Sequence, residues 1–237
     1  EVIKYAANTF LATRIAFVNQ LADLCETVGA DIEDVARGMG LDNRIGLQFL
    51  SPGPGFGGSC FPKDTRALAH TARQQGSPFS IVENVIAANE QRKRDLADRL
   101  QQAVGGTLAG KRIAVLGIAF KAETDDIRDA AALSLIPELQ KRGASVAAFD
   151  PVAMDNGRQT FQSVQWCADA YSAAIGSDAV AILTEWNVFR GLDLRRMARD
   201  MRQPVFVDFR NLFTISDAKG AGIVYHSIGR PSIVPAD

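Results

Sequence analysis

The hydrophobic periodicity of the chain changes near residue 105, and this change limits the possible folds more than any other feature. Before it, apolar residues recur at helical spacing, whereas short apolar runs such as 112–117 alternate with helical segments after it. Strands that alternate with helices form a parallel sheet. Because Gly105, Gly106 and Gly110 mark the change, we predict an all-helical domain over 1–104, joined by a long helix to a Rossmann-like parallel α/β domain over 105–237.

The predicted helical domain contains four helices. They cover residues 1 to about 30, a short segment after Asp31, about 64–75, and Ser80 to about Val104. Asp31 is expected to cap its helix, and the segment from Ser80 to Glu83 has the pattern of a capping box. We interpret the charged residues 90–99 of the last helix as a solvated face.

The predicted α/β domain contains five strands and three helices. The strands are 112–117, 145–150, 179–184, 204–208 and 222–226, and the helices are 133–142, 168–175 and 192–201. Ligands bind such sheets beyond the carboxyl ends of the strands. The turn after the first strand, Gly117 to Lys121, is not Gly-x-Gly-x-x-Gly, so it gives little support for a dinucleotide in this sheet.

Composition excludes several classes of protein. A net charge of −1 gives no reason to expect nucleic acid or an anionic membrane as a partner. No apolar run approaches the ~20 residues of a membrane span. The dispersed cysteines Cys25, Cys60 and Cys167 indicate reduced thiols of a cytoplasmic protein. With two histidines and no Cys/His cluster, no metal site is expected.

The strongest functional signal is the segment from Gly53 to Asp64. Four of the six residues 53–58 are glycine, which lets backbone approach a ligand closely. The loop brings Cys60 to the start of a helix and next to Lys63. Peptide dipoles and a neighbouring cation both favour the ionised thiol, which is the reactive form. The alternative is a small buried residue beside a turn, and the surroundings of Cys60 favour the functional interpretation.

This segment also resembles a known family. Gly-Phe-Gly-Gly-Ser-Cys-Phe-Pro-Lys-Asp at 55–64 is similar to the catalytic-cysteine motif of the nucleotide-sugar dehydrogenases, within them the UDP-glucose 6-dehydrogenases. Residues 4–12 resemble the second catalytic segment of that family, and the resemblance extends over nearly the whole chain. Relatives that act on GDP-mannose look similar here, so a GDP-mannose or other nucleotide-sugar dehydrogenase stays open.

The resemblance implies a two-step, NAD-dependent oxidation of UDP-glucose to UDP-glucuronate. A thiolate holds the intermediate aldehyde as a thiohemiacetal, which becomes a thioester that water cleaves. The implied roles are nucleophile for Cys60, cation near the oxyanion for Lys4, hydrogen-bond donor for Asn8, and carboxylate for water or a proton for Asp64. Without the family, Lys4 and Asn8 would be a solvated edge of a helix.

The resemblance also implies binding residues. The substrate-binding residues are expected to be Lys4, Asn8, Arg44, Phe49, Leu50, Ser51, Pro52, Gly53, Gly57, Phe120, Lys121 and Arg210. Lys63 and Arg128 are expected to approach the NAD phosphates. Lys and Arg suit a diphosphate through charge-assisted hydrogen bonds, although without the family they would be ordinary charges at the rim of the sheet.

Members of this family carry an NAD-binding domain before the segment that begins at Glu1. We therefore expect a fragment that lacks this main NAD-binding domain and is inactive alone. The long first helix and the connector helix have more apolar surface than one subunit covers, so a homodimer through the helical domain is expected. The resemblance implies that Arg44 reaches the neighbouring subunit's site, and from the sequence alone a plain surface arginine is an equal alternative. A non-catalytic nucleotide-binding and dimerising module is the alternative from another class, but it has no need of the four catalytic residues.

Overall fold

A computed structural model describes residues 1–234 of the 237-residue chain. The helical part contains α1 (Val2–Val28), α2 (Ile32–Gly40), α3 (Phe61–Gln74) and α4 (Ser80–Ala103). Helix α1 ends at Gly29 in the left-handed conformation, which glycine adopts without a Cβ penalty. Asp31 caps α2 as predicted, because its side chain accepts a hydrogen bond from the Glu33 N–H.

The starts of α3 and α4 differ from the prediction. Helix α3 begins at Phe61 rather than near Asp64, so Cys60 itself is the N-cap residue. The predicted capping box at Ser80 is wrong, since Phe79 is the N-cap of α4 and no side chain caps it. Glu83 instead accepts a hydrogen bond from Arg73 of α3 at 2.6 Å, and this ion pair holds its carboxylate away from the helix end.

The charged segment 90–99 of α4 was predicted to be a solvated face. The structure shows that part of it is buried. Helix α4 packs against α1 and α3 and also reaches the α/β part. Arg92 and Lys93 are 6% and 3% exposed. Arg92 forms an ion pair with Asp23 of α1, so a charge that reads as solvated in the sequence is buried against a partner from another helix.

The α/β part is a six-stranded, all-parallel sheet in the order β3-β2-β1-β4-β5-β6, which confirms the predicted fold class. The strands are β1 (Arg112–Leu116), β2 (Ser145–Phe149), β3 (Val164–Trp166), β4 (Ala179–Ile182), β5 (Val205–Asp208) and β6 (Val224–Ser227). The helices are α5 (Ala131–Lys141), α6 (Met154–Thr160), α7 (Ala170–Ala174), α8 (Asn187–Arg190), α9 (Leu194–Asp200) and α10 (Ile215–Ala221). Val115 of β1 pairs with Ala148 of β2 and Ala181 of β4.

The strand order changes direction between β1 and β4, which are neighbours in the sheet. The turn that follows β1 has a fixed shape. Buried Asp150 accepts hydrogen bonds from the N–H groups of Ile118 and Ala119. Gly117 has a φ of 84°, and a Cβ there would lie 2.4 Å from the Cβ of Thr184. The turn therefore directs Phe120 and Lys121 to the carboxyl edge of the sheet, where ligands bind in folds of this kind.

One continuous core crosses from the helices to the sheet. It contains Cys25 of α1 and Cys167 beside β3, which confirms that these two cysteines are packing residues. A smaller cluster joins Phe56 to Ala12, Ala16 and Val85 of α1 and α4. No helix within residues 1–234 is long and apolar enough to cross a bilayer. The division of the chain at 104/105 stays a prediction.

Candidate active site

The glycine loop packs against the turn that follows β1. The Gly58 N–H donates to the Arg128 carbonyl oxygen at 2.7 Å. A Cβ at Gly57 would lie 2.4 Å from the Asp129 carbonyl oxygen, and one at Gly58 would lie 2.8 Å from the Phe120 ring. Only glycine fits at these two positions, which explains why the loop that precedes Cys60 carries no side chains there.

Cys60 differs from the other two cysteines in exposure. It is a free, exposed thiol at the N-terminus of α3, with Ser59 Oγ 3.8 Å from its Sγ. Cys25 and Cys167 are buried, and burial raises the pKa of both thiols. Cys60 is therefore the accessible thiol of the described residues.

Asp64 lies one turn of α3 beyond Cys60, and three side chains converge on its fully buried carboxylate. Asn8 donates to Oδ2 at 2.6 Å, the Lys4 ammonium lies 3.8 Å from Oδ2, and the Lys63 ammonium lies 2.9 Å from Oδ1. The hydrogen bond from Lys63 lowers the pKa of Asp64 below its usual range, although burial acts in the other direction. The hydrogen bond from Asn8 and the charge of Lys4 lower it further. The pairing of α1 with α3 thus brings together Lys4, Asn8 and Asp64.

Lys63, which the sequence placed next to Cys60, also has a carboxylate partner. Its ammonium pairs with Asp64, and this hydrogen bond raises the pKa of Lys63. The side chain of Lys63 is still 62% exposed, so the cation also faces the open side of the site.

A cavity of about 470 Å³ lies between α2 and residues 47–52 on one side and Arg190, Arg210 and Asn211 on the other. It is lined by Leu50, Ser51, Pro52, Arg210, Arg37, Arg190 and others. Its size is in the range of small-molecule sites, about 300–1,000 Å³. The cavity therefore joins three predicted substrate-binding residues of the loop to Arg210 after β5.

The side chain of Arg210 lines the cavity and is fixed by hydrogen bonds to backbone carbonyl oxygens. Its Nε donates to the Leu183 carbonyl oxygen at 2.8 Å, and Nη2 donates to the Phe120 carbonyl oxygen at 2.9 Å. Desolvation lowers the pKa of Arg210 in spite of the nearby carboxylate of Glu185. The third nitrogen, Nη1, would lie 3.4 Å from a Cβ at Gly53, so it faces the loop.

Two predicted cations lie at the rim. The Lys121 ammonium is 5.6 Å from the centre of the Phe120 ring. Arg128 is 70% exposed and pairs with Asp126 at 2.8 Å, and this hydrogen-bonded pair raises the pKa of the Arg128 guanidinium. Both are accessible to an anionic ligand.

The last two predicted residues, Arg44 and Phe49, lie on the surface and beside Phe61, respectively. Arg44 has a side chain 89% exposed, and its guanidinium pairs with Asp42. Phe49 adopts a φ of 60° and its ring lies 6.1 Å from that of Phe61. The single chain therefore does not bring Arg44 to the carboxylate of Asp64.

Four polar residues that no sequence pattern predicted bind the backbone of the segment between residues 45 and 56. Arg14 of α1 donates to the carbonyl oxygens of Ile45, Gly46 and Gln48 at 2.7, 2.9 and 2.6 Å. The other three are Asn19, Asn89 and Arg92. A polar residue that interrupts the buried face of a helix was the available signal. Across the part of the chain that the structure describes, no group of three or more His, Cys, Asp or Glu could hold a metal ion.

Two family models match the chain. The UDP-glucose/GDP-mannose dehydrogenase family, central domain, matches residues 1–91, and the UDP binding domain of the same family matches residues 114–215. Among curated proteins, the UDP-glucose 6-dehydrogenase of Rhizobium meliloti is 49% identical over 98% of this chain and 53% of its own length. UDP-glucose 6-dehydrogenase TuaD of Bacillus subtilis is 48% identical over 98% of this chain and 50% of its own length.

Solved structures give the same result. The UDP-glucose dehydrogenase of Pyrobaculum islandicum is 36% identical with a TM-score of 0.85, covering 95% of this chain and 50% of that one. The UDP-D-ManNAc dehydrogenase of Pyrococcus horikoshii is 26% identical with a TM-score of 0.84, covering 98% and 52%. The chain thus spans about half the length of the relatives it matches. Since the two models together match most of its residues, the chain belongs to the UDP-glucose/GDP-mannose dehydrogenase family and comprises the central and UDP binding domains.

Proposed function

We propose that this chain is the substrate-binding and cysteine-bearing part of a UDP-glucose 6-dehydrogenase, which oxidises UDP-glucose to UDP-glucuronate. The observation that carries the proposal is the convergence of Lys4 and Asn8 on Asp64, one helical turn from the exposed Cys60. An inert binding module has no need of this group. The curated relatives named above are UDP-glucose 6-dehydrogenases, which favours UDP-glucose over GDP-mannose.

In this mechanism Cys60 prevents loss of the aldehyde formed in the first oxidation. Its Sγ adds to the aldehyde carbon and gives a thiohemiacetal, whose oxyanion Lys4 and Asn8 stabilise through charge and hydrogen bonding. Loss of the second hydride leaves a thioester. Water then cleaves the C–S bond, which releases the carboxylic acid and returns the thiol. Asp64, whose lowered pKa keeps its carboxylate ionised at neutral pH, would orient that water and take up a proton from it as the C–S bond breaks.

NAD⁺, when bound, accepts the two hydrides in turn. Lys63 and Arg128 are exposed cations on the cysteine side of the chain, and their charge fits a dinucleotide diphosphate. We assign Lys63 and Arg128 to that role, and the main NAD contacts to a domain outside this chain.

The nucleotide part of the nucleotide-sugar is assigned to the cavity that Leu50, Ser51, Pro52 and Arg210 line. Arg210 and Lys121 would bind the diphosphate, and the backbone of residues 50–53 would bind the base. Gly57 and Phe120, which lie against each other beside Cys60, would flank the sugar, and Phe49 would close the loop side. The name of the matched UDP binding domain favours uridine as the base.

We also propose a homodimer, formed through α1. Ile3, Phe10, Phe17 and Leu24 are spaced by seven residues and are 88%, 64%, 52% and 54% exposed. Large apolar residues at heptad spacing on one helix are typical of a helix–helix interface. In such a dimer Arg44, whose side chain extends from the surface, would reach the site of the neighbouring subunit. The free thiols accord with a cytoplasmic protein.

The test uses the full-length protein that contains this chain. Cys60→Ala is expected to abolish UDP-glucuronate formation, while Cys167→Ala, which removes a buried packing thiol, retains it. Product is measured by chromatography with UDP-glucose and NAD⁺. Undiminished formation of UDP-glucuronate by Cys60→Ala would refute the mechanism.

A further inference from the structure

Two helices hold the peptide groups of Gly53 from opposite sides. The Gly53 N–H donates to Asn19 Oδ1 of α1 at 2.8 Å, and Arg92 Nε of α4 donates to the Gly53 carbonyl oxygen at 3.1 Å. Asn19 and Arg92 are 3% and 6% exposed. A buried loop has no neighbouring strand to satisfy its backbone, so these two side chains take that place.

Asn89 of α4 holds the same loop three residues further on. Its Oδ1 accepts from the Phe56 N–H at 2.8 Å, and its Nδ2 donates to the Phe56 carbonyl oxygen at 3.0 Å. One amide thus forms both hydrogen bonds to one residue, as a neighbouring strand would. Among side chains only an amide offers a donor and an acceptor in this geometry.

Asn19 and Arg92 satisfy the backbone of the loop without satisfying all of their own nitrogen atoms. Asn19 Nδ2 and Arg92 Nη2 are buried and have no hydrogen-bond partner within the described residues. A buried donor without a partner is unfavourable, but an apolar side chain at position 19 or 92 would leave the Gly53 N–H or carbonyl oxygen without its partner. What the polar side chains add is a defined position for the loop.

The fixed peptides lie between the two halves of the proposed site. On its other side Gly53 faces Arg210 Nη1 and the Phe209 carbonyl oxygen, at 3.4 and 3.6 Å from an added Cβ. The preceding residues 50–52 line the cavity. Phe56, in turn, lies four residues before Cys60. A shift of this segment therefore moves the cavity wall and the thiol together.

We propose that Asn19, Asn89 and Arg92 are positioning residues, which fix residues 53–56 so that the nucleotide cavity and Cys60 are preorganised before the ligand binds. The nucleotide part of this inference rests on the function proposed above, whereas the position of the loop and of the thiol does not. Arg92 also pairs with Asp23, so Asn89 and Asn19 are the cleaner probes.

The test compares Asn89→Leu, Asn89→Asp and Asn19→Leu with Leu100→Ala, which creates a cavity in the same α4 away from the loop. Leu100 is fully buried, so the control loses stability without loss of a loop hydrogen bond. Hydrogen exchange of residues 53–60 and alkylation of Cys60 by iodoacetamide are measured on the folded chain, together with UDP affinity by calorimetry. The buried Cys25 and Cys167 report any unfolded fraction.

Asn89→Leu is expected to raise amide exchange at 55–57 about tenfold, as the loss of two hydrogen bonds implies, with a changed alkylation rate and weaker UDP binding. Asn89→Asp, which keeps the acceptor for the Phe56 N–H, is expected to be intermediate, and Leu100→Ala to match the wild type at the loop. Wild-type exchange and alkylation in Asn89→Leu and Asn19→Leu would overturn the proposal. Changed loop readouts with no UDP binding even in the wild type would support the positioning role and count against the proposed function.

Discussion

The side-chain amide of Asn8 donates to Oδ2 of Asp64 at 2.6 Å, across 56 residues of sequence. This hydrogen bond joins α1 to α3 beneath the thiol of Cys60. The carboxylate of Asp64 is therefore surrounded by one hydrogen-bond donor, Asn8, and two cations, Lys4 and Lys63. Asp64 is therefore a structural link between two helices as well as the proposed proton acceptor.

The contribution of Asp64 to stability is expected to depend on pH. Because its folded pKa is lowered, the contribution is full above the ordinary Asp pKa of about 3.9 and is lost as pH falls through the folded value. Asp64→Asn should reduce the free energy of unfolding at pH 7, and the gap to the wild type should narrow on acidification. Urea unfolding from pH 7 down to pH 2 measures it, with the exposed Asp200→Asn as control. A gap that grows on acidification contradicts the assignment.

Lys93, unlike Asp64, is expected to lower the free energy of unfolding at pH 7. It is 3% exposed and its nearest carboxylate oxygens, from Glu90 and Asp129, are 3.9 Å away, so burial lowers its pKa. A lowered lysine pKa means that the wild type gains stability as pH rises from the folded value toward about 10.4. Lys93→Met is expected to equal or exceed the wild type at pH 7, by up to about 2 kcal/mol.

The advantage of Lys93→Met should shrink as pH rises from 7 to 10 in urea unfolding experiments. The exposed Lys121→Met is the control, in which the difference from the wild type stays constant. A Lys93→Met variant that is several kcal/mol less stable at pH 7 would mean that the ion pairs outweigh the desolvation of Lys93.

Arg210→Met is expected to weaken UDP binding by roughly 10- to 100-fold, the range for loss of hydrogen bonds from a charged group. Arg210→Lys keeps the charge but not the planar fork that reaches two carbonyl oxygens, so it should lie between Met and the wild type. Calorimetry on the chain measures the affinity. The exposed Arg199→Met of α9 should bind UDP as the wild type does, and equal affinity in Arg210→Met would remove Arg210 from the site.

The exposed stripe on α1 gives a prediction for oligomeric state. Phe17→Glu places a charge in the proposed helix–helix interface and should convert a dimer into monomers. Sedimentation velocity measures this, and Gln159→Glu on α6 adds the same charge away from the stripe. A wild-type chain that is monomeric at all concentrations, or a Phe17→Glu variant that stays dimeric, contradicts the proposed interface.

Local pattern was enough for much of the fold. The apolar runs of β1 and β4 predicted a buried parallel sheet, and Asp31 predicted the start of α2. Strand β3 was missed because three residues at the sheet edge carry too little periodicity. Helices α6 and α8 were missed because seven and four residues are at most two turns of helix. Helix α10 has a capping box from Thr214 to Asp217, which was a readable signal.

The errors on individual side chains have another physical cause, which is that the deciding partner lies on a different helix or loop. Glu83 pairs with Arg73 of the preceding helix and does not complete the predicted capping box. Arg92 is buried because Asp23 and the Gly53 carbonyl oxygen accept hydrogen bonds from its guanidinium. The resemblance to a family predicted Lys4, Asn8 and Asp64. It carried no information on Asn19 or Asn89, whose roles depend on hydrogen bonds to loop backbone that appear only once the helices pack.

The central claim is that this chain holds most of the binding site for a UDP-sugar. Calorimetric titration with UDP-glucose, with GDP-mannose as the competitor, tests it most directly. The account predicts saturable binding of UDP-glucose that weakens in Arg210→Met, and little or no binding of GDP-mannose. Preferential binding of GDP-mannose by the folded wild-type chain would contradict it.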